Sequence, residues 1–192
     1  MTTPGDLADK PVSYLRQRTR VITTHREDGK AVIHSSREGR WYEMRDVAVA
    51  LNLVYTTSEF PSQMNDDNDI KAHKAVERNG LGLVNQGGTV CRISNFAPGN
   101  EAIMHRTRSL DYGVVLEGEI EMSLDSGETV LLKRGDVVVQ RGTNTWKNTS
   151  ATEWARTFFV LLDGHPLSIG GEQLGESLGY AAHELQPSNN VE

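Results

Sequence analysis

The chain has 192 residues, 37% of them hydrophobic, and 20 Lys and Arg stand against 26 Asp and Glu for a formal net charge of −6. That length and apolar content suit one domain with a sizeable core. An acidic chain with no run of Lys or Arg offers no electrostatic grip on nucleic acid or an anionic membrane. No apolar run approaches the roughly 20 residues that span a bilayer, so neither partner is expected.

The N-terminal M-T-T-P-G-D-L-A-D-K-P lacks the apolar core of a secretory signal, and Cys91 is the single cysteine. Both features predict a cytoplasmic protein without disulfides. Cys91 lies within T-V-C-R-I and reads as a buried, inert thiol rather than a nucleophile. The sequon Asn148-Thr149-Ser150 carries no weight without a secretory signal.

Residues 1–15 are polar, carry two prolines and read as an arm, free or ordered by a partner subunit. R-V-I-T-T-H and A-V-I-H-S-S follow around R-E-D-G-K, two β-branched runs about an Asp-Gly turn that predict a hairpin. His25 and His34 read as partly exposed strand histidines. The alternation Val47, Val49, Leu51, Leu53 predicts a further strand. Asp66, Asp67 and Asp69 lack the glycine and terminal glutamate of a calcium loop, so they read as a solvated loop. Asp67 to Asp69 cap a short helix over Ile70–Arg78, which Asn79-Gly80 ends.

From Thr89 short strands follow at close spacing: T-V-C-R-I-S-N-F, E-A-I-M-H, Y-G-V-V-L, E-I-E-M-S-L, T-V-L-L, V-V-V-Q and A-R-T-F-F-V-L-L. Gly-bearing turns between them predict an all-β antiparallel barrel or sandwich. The segment from Leu167 to Leu185 alternates little and reads as one or two short helices packed outside.

The stretch Gly99–Gly118 concentrates the chemistry. Gly99-x5-His105-x-Thr107-x3-Asp111-x6-Gly118 keeps every spacing of the first cupin motif, G-x5-H-x-H-x3,4-E-x6-G, with two ligand positions changed. The second motif would begin at Gly135, and Asn148 can close it, but no histidine occurs between them. R-T-R-S-L-D-Y-G-V-V-L-E-G-E-I-E, K-R-G-D-V-V-V-Q-R-G-T and W-K-N-T-S are similar to the small single-domain cupins associated with fungal polyketide pathways. Members of that group commonly carry His-Gly or His-Ala before the tryptophan, where this chain has only Thr145 before Trp146.

The resemblance implies a single cupin, a double-stranded β-helix or jelly-roll barrel with extra N-terminal strands and short peripheral helices. The cupin domain would span residues 16–180, its barrel core about 86–163, with a tail over 181–192. A cupin metal is held by imidazoles and a carboxylate, a set suited to iron, manganese, nickel or zinc. Here Thr107 replaces one imidazole and the later histidine is missing, so His105 and Asp111 alone remain as ligands. His25, His34 and His73 are the other imidazoles available to substitute. No tightly bound metal or other cofactor is expected.

His105 and Thr107 are two apart and share a strand face if the strand runs that far, and the resemblance places that face and Asp111 in the barrel interior. A buried His beside a carboxylate is an acid-base pair near neutral pH. His105, Asp111 and Tyr112 are therefore the candidate catalytic residues. Arg92, Arg106 and Arg141 are candidates to stabilise an enolate or carboxylate, and Thr107, Gln140, Thr145 and Trp146 complete the candidate substrate-binding set. Each has a structural alternative: Asp111 as a turn acceptor, Arg106 paired with Asp111, and Tyr112 and Trp146 as core or interface residues.

The expected activity is acid-base dehydration, decarboxylation, isomerisation or cyclisation of a polyketide-like intermediate, a small hydrophobic or aromatic substrate. A metal-dependent oxygenase or oxidoreductase and a non-catalytic ligand-binding barrel are the competing readings. By analogy with the fold, a homodimer is expected.

Overall fold

In a computed structural model, the structure describes residues 7–142 and 145–190. Thirteen strands and one α-helix are found among them. The predicted hairpin is β1 (Thr19–His25) with β2 (Ala31–Glu38), closed by Arg26 N–H donating to Lys30 O at 3.0 Å and by Gly29 at φ 77°. The run at 41–57 is two strands, β3 (Trp41–Met44) and β4 (Val49–Thr57). Val47 is not in a strand: Arg45, Asp46 and Val47 all take positive φ in the turn between them, so the alternation begins only at Val49.

The helix, α1, runs Asn68–Asn79. Asp67 occupies its N-cap without a capping side-chain hydrogen bond, because its carboxylate accepts instead from Thr24 on β1. The predicted strands after Thr89 follow as β5 (Thr89–Phe96), β6 (Ser109–Glu117), β7 (Glu119–Ser123), β8 (Thr129–Lys133), β9 (Val137–Arg141), β10 (Thr145–Lys147) and β11 (Ala155–Asp163). E-A-I-M-H forms no strand; Arg106 makes only an isolated bridge to Ser177, with hydrogen bonds of 2.7 and 2.9 Å. The segment after Leu167 is a second hairpin, β12 (Leu167–Ile169) and β13 (Glu172–Leu174), followed by a 3-10 turn at Gly179–His183. Gly170-Gly171, both at positive φ, is the two-residue turn signal that identifies this hairpin in the sequence.

A six-stranded antiparallel sheet, ordered β3-β4-β5-β11-β6-β9, faces a three-stranded sheet, β10-β7-β8. The chain crosses between the sheets at Gly118, whose positive φ turns β6 into β7. Period-2 alternation sends one set of side chains inward: Val90, Phe96, Val115, Phe159 and Leu161 meet Ile120, Leu132 and Trp146 from the smaller sheet in one core. This is the all-β double-stranded β-helix architecture, built as two facing sheets.

The outer face of the large sheet is also covered over part of its area. Trp41, Ala50 and Ile93 form a second apolar cluster there. The arm lies over that face: Ala8 bridges Trp41, and the Ser13 hydroxyl accepts from Asn95 Nδ2 at 2.8 Å. The last described residues are bonded to the loop before β5 and to β11. The Ser188 hydroxyl accepts from Val84 N–H at 3.0 Å, and Asn190 Nδ2 donates to Asp163 at 2.6 Å.

A buried histidine ties α1 to β1 and β4. His73 is 1% exposed; the Thr56 backbone N–H donates to its Nδ1 at 3.1 Å, with the Thr56 hydroxyl also 3.1 Å from that nitrogen, and Arg20 Nη1 lies 3.0 Å from its Nε2. Burial pushes the His73 pKa down to about 4. The unfolded chain takes up a proton at this group near pH 6.5 and the folded chain does not, so its contribution to stability falls as pH drops from about 6.5 towards 4. His73→Gln is expected to flatten the loss of Tm over that window; the difference between wild type and variant, measured by calorimetry, isolates this group from others titrating there.

Candidate active site

The inward face of the six-stranded sheet, together with chain segments from both ends of the sequence, encloses a cavity of about 120 Å³. β5 presents Arg92, Ser94 and Phe96, while β6 presents Asp111. Gln140 comes from β9, Trp146 from β10, and Phe159 and Leu161 from β11. His105 enters from the irregular segment before β6. Leu178 and Leu185, far along the chain, close the apolar wall.

Asp111 is 7% exposed and its carboxylate accepts from the Ser109 hydroxyl at 2.5 Å. Ser109 also lies 2.8 Å from the Thr107 hydroxyl. A hydroxyl has one proton. When Asp111 is ionised, Ser109 donates to it and accepts from Thr107; when Asp111 is protonated, the direction can reverse. Burial raises the Asp111 pKa to about 6, against the lowering effects of the Ser109 bond and the Arg92 charge. Ser109→Ala is therefore expected to move the Asp111 titration further up, as followed by carboxyl carbon NMR; a midpoint that stays or falls would show that the bond does not favour the ionised form.

His105 is partly buried and its Nδ1 donates to the Ile103 carbonyl at 2.9 Å. A carbonyl only accepts, so in the neutral imidazole Nε2 is left as an unprotonated acceptor. Burial lowers the His105 pKa, which keeps that neutral form at pH 7.

The residues expected to form the site divide into three groups. His105, Asp111, Arg92, Gln140 and Trp146 all line the cavity. His105 and Asp111 make no direct hydrogen bond, so they act as separate groups in one cavity rather than as a contacting pair. Arg106, Thr107 and Arg141 line a separate notch of about 130 Å³ with Arg108 and His165. Thr107 does not share a surface with His105, because the backbone reaches strand geometry only at Ser109. Arg106 does not pair with Asp111; its Nε donates to Gly175 O at 2.8 Å.

Tyr112 and Thr145 fall outside both hollows. Tyr112 is 44% exposed on the outer face beside Val139, the direct result of its following the inward Asp111 on a strand. Thr145 is buried, with its hydroxyl 3.4 Å from Ser123 O. Thr143 and Asn144, within the second motif, lie outside the described residues. Asn148, which closes that motif, is fully buried and structural: its Nδ2 donates to Phe96 O at 3.1 Å and Glu153 O at 2.6 Å. Ser109 and the closing leucines were not in the sequence-based set. Ser109 was accessible to the parity rule, as it is two residues before Asp111, whereas Leu178 and Leu185 carry no local signal.

The donor set does not fit a cupin metal. Among the described residues no three His, Cys, Asp or Glu side chains converge to hold an ion. His34 Nε2 lies 3.5 Å from Lys74, His73 is engaged by Arg20, and neither they nor His25 line the cavity. Cys91 also has no part in it, and burial pushes its thiol up to about 11. No described helix is long and apolar enough to cross a membrane.

Comparison with known proteins adds the family context. The chain is 42% identical to oryzines biosynthesis cluster protein J of Aspergillus oryzae, over 93% of this chain and 99% of the relative. It is 40% identical to phomopsin biosynthesis cluster protein D of Diaporthe leptostromiformis, over 95% and 97% of the two chains. Identity to the cupin-domain-containing oxidoreductase virC of Hypocrea virens is 39%, over 88% of each. Among solved structures, a cupin-2 domain from Rhodospirillum rubrum is 10% identical with a TM-score of 0.44, covering 90% of this chain and 84% of that one. No protein-family model matches the chain.

Proposed function

Since the chain belongs to the cupin-domain proteins of fungal secondary-metabolite biosynthesis clusters, we propose that it is an acid-base enzyme acting inside the cavity on a small, largely apolar biosynthetic intermediate. The observation that supports this reading best is the buried, hydroxyl-tethered Asp111 carboxylate, whose pKa of about 6 suits it to take and return a proton near neutral pH.

Asp111 removes a proton from carbon next to a carbonyl, and the electron pair moves onto the carbonyl oxygen as an enolate. The Gln140 amide on the cavity wall is a donor for that oxygen. When the enolate collapses and expels a hydroxyl at the next carbon, Asp111 delivers its proton to the departing oxygen. The substrate has then lost water and the carboxylate is restored. Returning the proton to another carbon gives isomerisation instead, with the same groups. His105 Nε2, unprotonated and on the same cavity, is the second acceptor for a substrate hydroxyl.

One further reading has a specific observation behind it: relatives at 36–39% identity are named oxidoreductases. The same experiment separates the two. The gene is deleted in its native host, the intermediate that accumulates is isolated, and purified protein is added to it. A product that is an isomer, or that lacks water or carbon dioxide, supports acid-base chemistry. A product of changed oxidation state, or a near-stoichiometric iron or manganese signal from protein purified without chelator, overturns it in favour of the oxidoreductase.

A further inference from the structure

We propose that the ligand of this cavity is a monocarboxylate, with its carboxylate on the Arg92 guanidinium and an apolar body against Trp146 and Phe159. The inference rests on the cavity being the substrate site, as in the reading above, but not on the proton chemistry assigned to Asp111.

Arg92 is 7% exposed, on the inward face of β5. Both of its hydrogen bonds leave from Nη2, to Gly82 O at 2.9 Å and Leu83 O at 3.2 Å. Its Nε has no partner, and among the described residues no carboxylate forms an ion pair with it. A buried cation with no counter-ion is costly, and an anion bound beside the guanidinium offsets that cost.

The nearby acids do not fill this role. The Glu101 carboxylate pairs with Arg45 at 3.0 Å, and the Glu184 carboxylate accepts from the Arg45 N–H at 2.7 Å. Asp111 feels the Arg92 charge, yet its pKa lies above the ordinary carboxylate range, the opposite of what a close ion pair produces. Burial lowers the Arg92 pKa to about 10, which leaves it charged at neutral pH.

Single charge and apolar surroundings select the ligand class. One guanidinium matches one carboxylate through charge-assisted hydrogen bonds. A phosphate dianion would bring a second negative charge towards Asp111 without a second cation on the cavity wall. Trp146 and Phe159 meet edge to face at 4.9 Å between ring centres and offer an apolar corner for the body.

Calorimetric titration with phenylacetate and its neutral isostere phenylacetamide at pH 7.5 tests this. Wild type is expected to bind the acid at least ten-fold more tightly than the amide. Arg92→Gln is expected to abolish that preference and Arg92→Lys to keep part of it. Equal affinities in wild type, or an unchanged preference in Arg92→Gln, would overturn the proposal. If Arg92→Gln does not fold, nuclear Overhauser contacts between the phenylacetate ring and Trp146 in wild type take its place, and their absence overturns it. Asp111→Asn should bind phenylacetate at least as well as wild type, so a failed carboxylate site and a failed acid-base reading are told apart.

Discussion

Asp111→Asn is expected to lower turnover of the native intermediate by about 10²- to 10⁴-fold, the usual contribution of a positioned general base. The substitution keeps the volume and leaves an oxygen to accept from Ser109, which now bonds at 2.5 Å, so loss of the base rather than of the fold is read out. In wild type the rate should rise with pH through about 6, because only the ionised carboxyl accepts a proton. That limb should vanish in the variant.

Stability gives an independent check with the opposite sign. The folded-state pKa of Asp111 is raised above its unfolded value, so the group favours folding at low pH and this contribution is lost as pH rises through about 6. At pH 8 the ionised form is the costly one. Asp111→Asn should therefore unfold at the same temperature as wild type or higher at pH 8. An inactive variant with a much lower Tm would mean that Asp111 is structural.

Arg156→Met is expected to destabilise the protein by about 3 kcal/mol, the cost of taking a buried charged donor from Asn95 Oδ1 and the Arg16 carbonyl, while Glu117 keeps its pair with Arg18. For a chain of this size that corresponds to roughly 6–12 °C in Tm. Arg156 is fully buried on the outer face of β11. Its Nε donates to Asn95 Oδ1 at 2.8 Å, its Nη1 donates to Arg16 O at 2.9 Å, and it faces Glu117 at 3.4 Å, with its guanidinium 5.9 Å from the Trp41 ring centre. One side chain thus fastens the arm to the sheet. Methionine keeps the apolar stem against Trp41 but leaves Asn95 Oδ1 and the Arg16 carbonyl without this donor. Hydrogen exchange in residues 8–18 should accelerate along with the fall in Tm; a variant as stable as wild type would show that the arm adds little to folding.

Much of the fold was legible locally. Short runs rich in β-branched and aromatic residues in T-V-C-R-I-S-N-F and A-R-T-F-F-V-L-L mark β5 and β11, and Asp28-Gly29 marks the first hairpin, because strand propensity and turn chemistry are short-range. Strand parity already separates Asp111 from Tyr112: neighbours on a strand cannot both face the interior. The error at E-A-I-M-H has a different cause. Its composition suits a strand, but its backbone finds only the Arg106–Ser177 bridge and no continuous sheet neighbour.

By itself the sequence determined the all-β class and the departure from the cupin ligand pattern, since both depend on residue type and spacing along the chain, whereas the inward placement of Asp111 followed from the resemblance to cupins. The tertiary structure alone decided which side chains meet in the cavity. His105 reaches it from a non-strand segment, Thr107 faces a separate notch, Leu178 and Leu185 close the wall from the far end of the chain, and Arg92 remains without a counter-ion. Those facts depend on contacts between residues tens of positions apart. Local periodicity sets the direction of a side chain, but the identity of what it meets is settled only when the sheets pack.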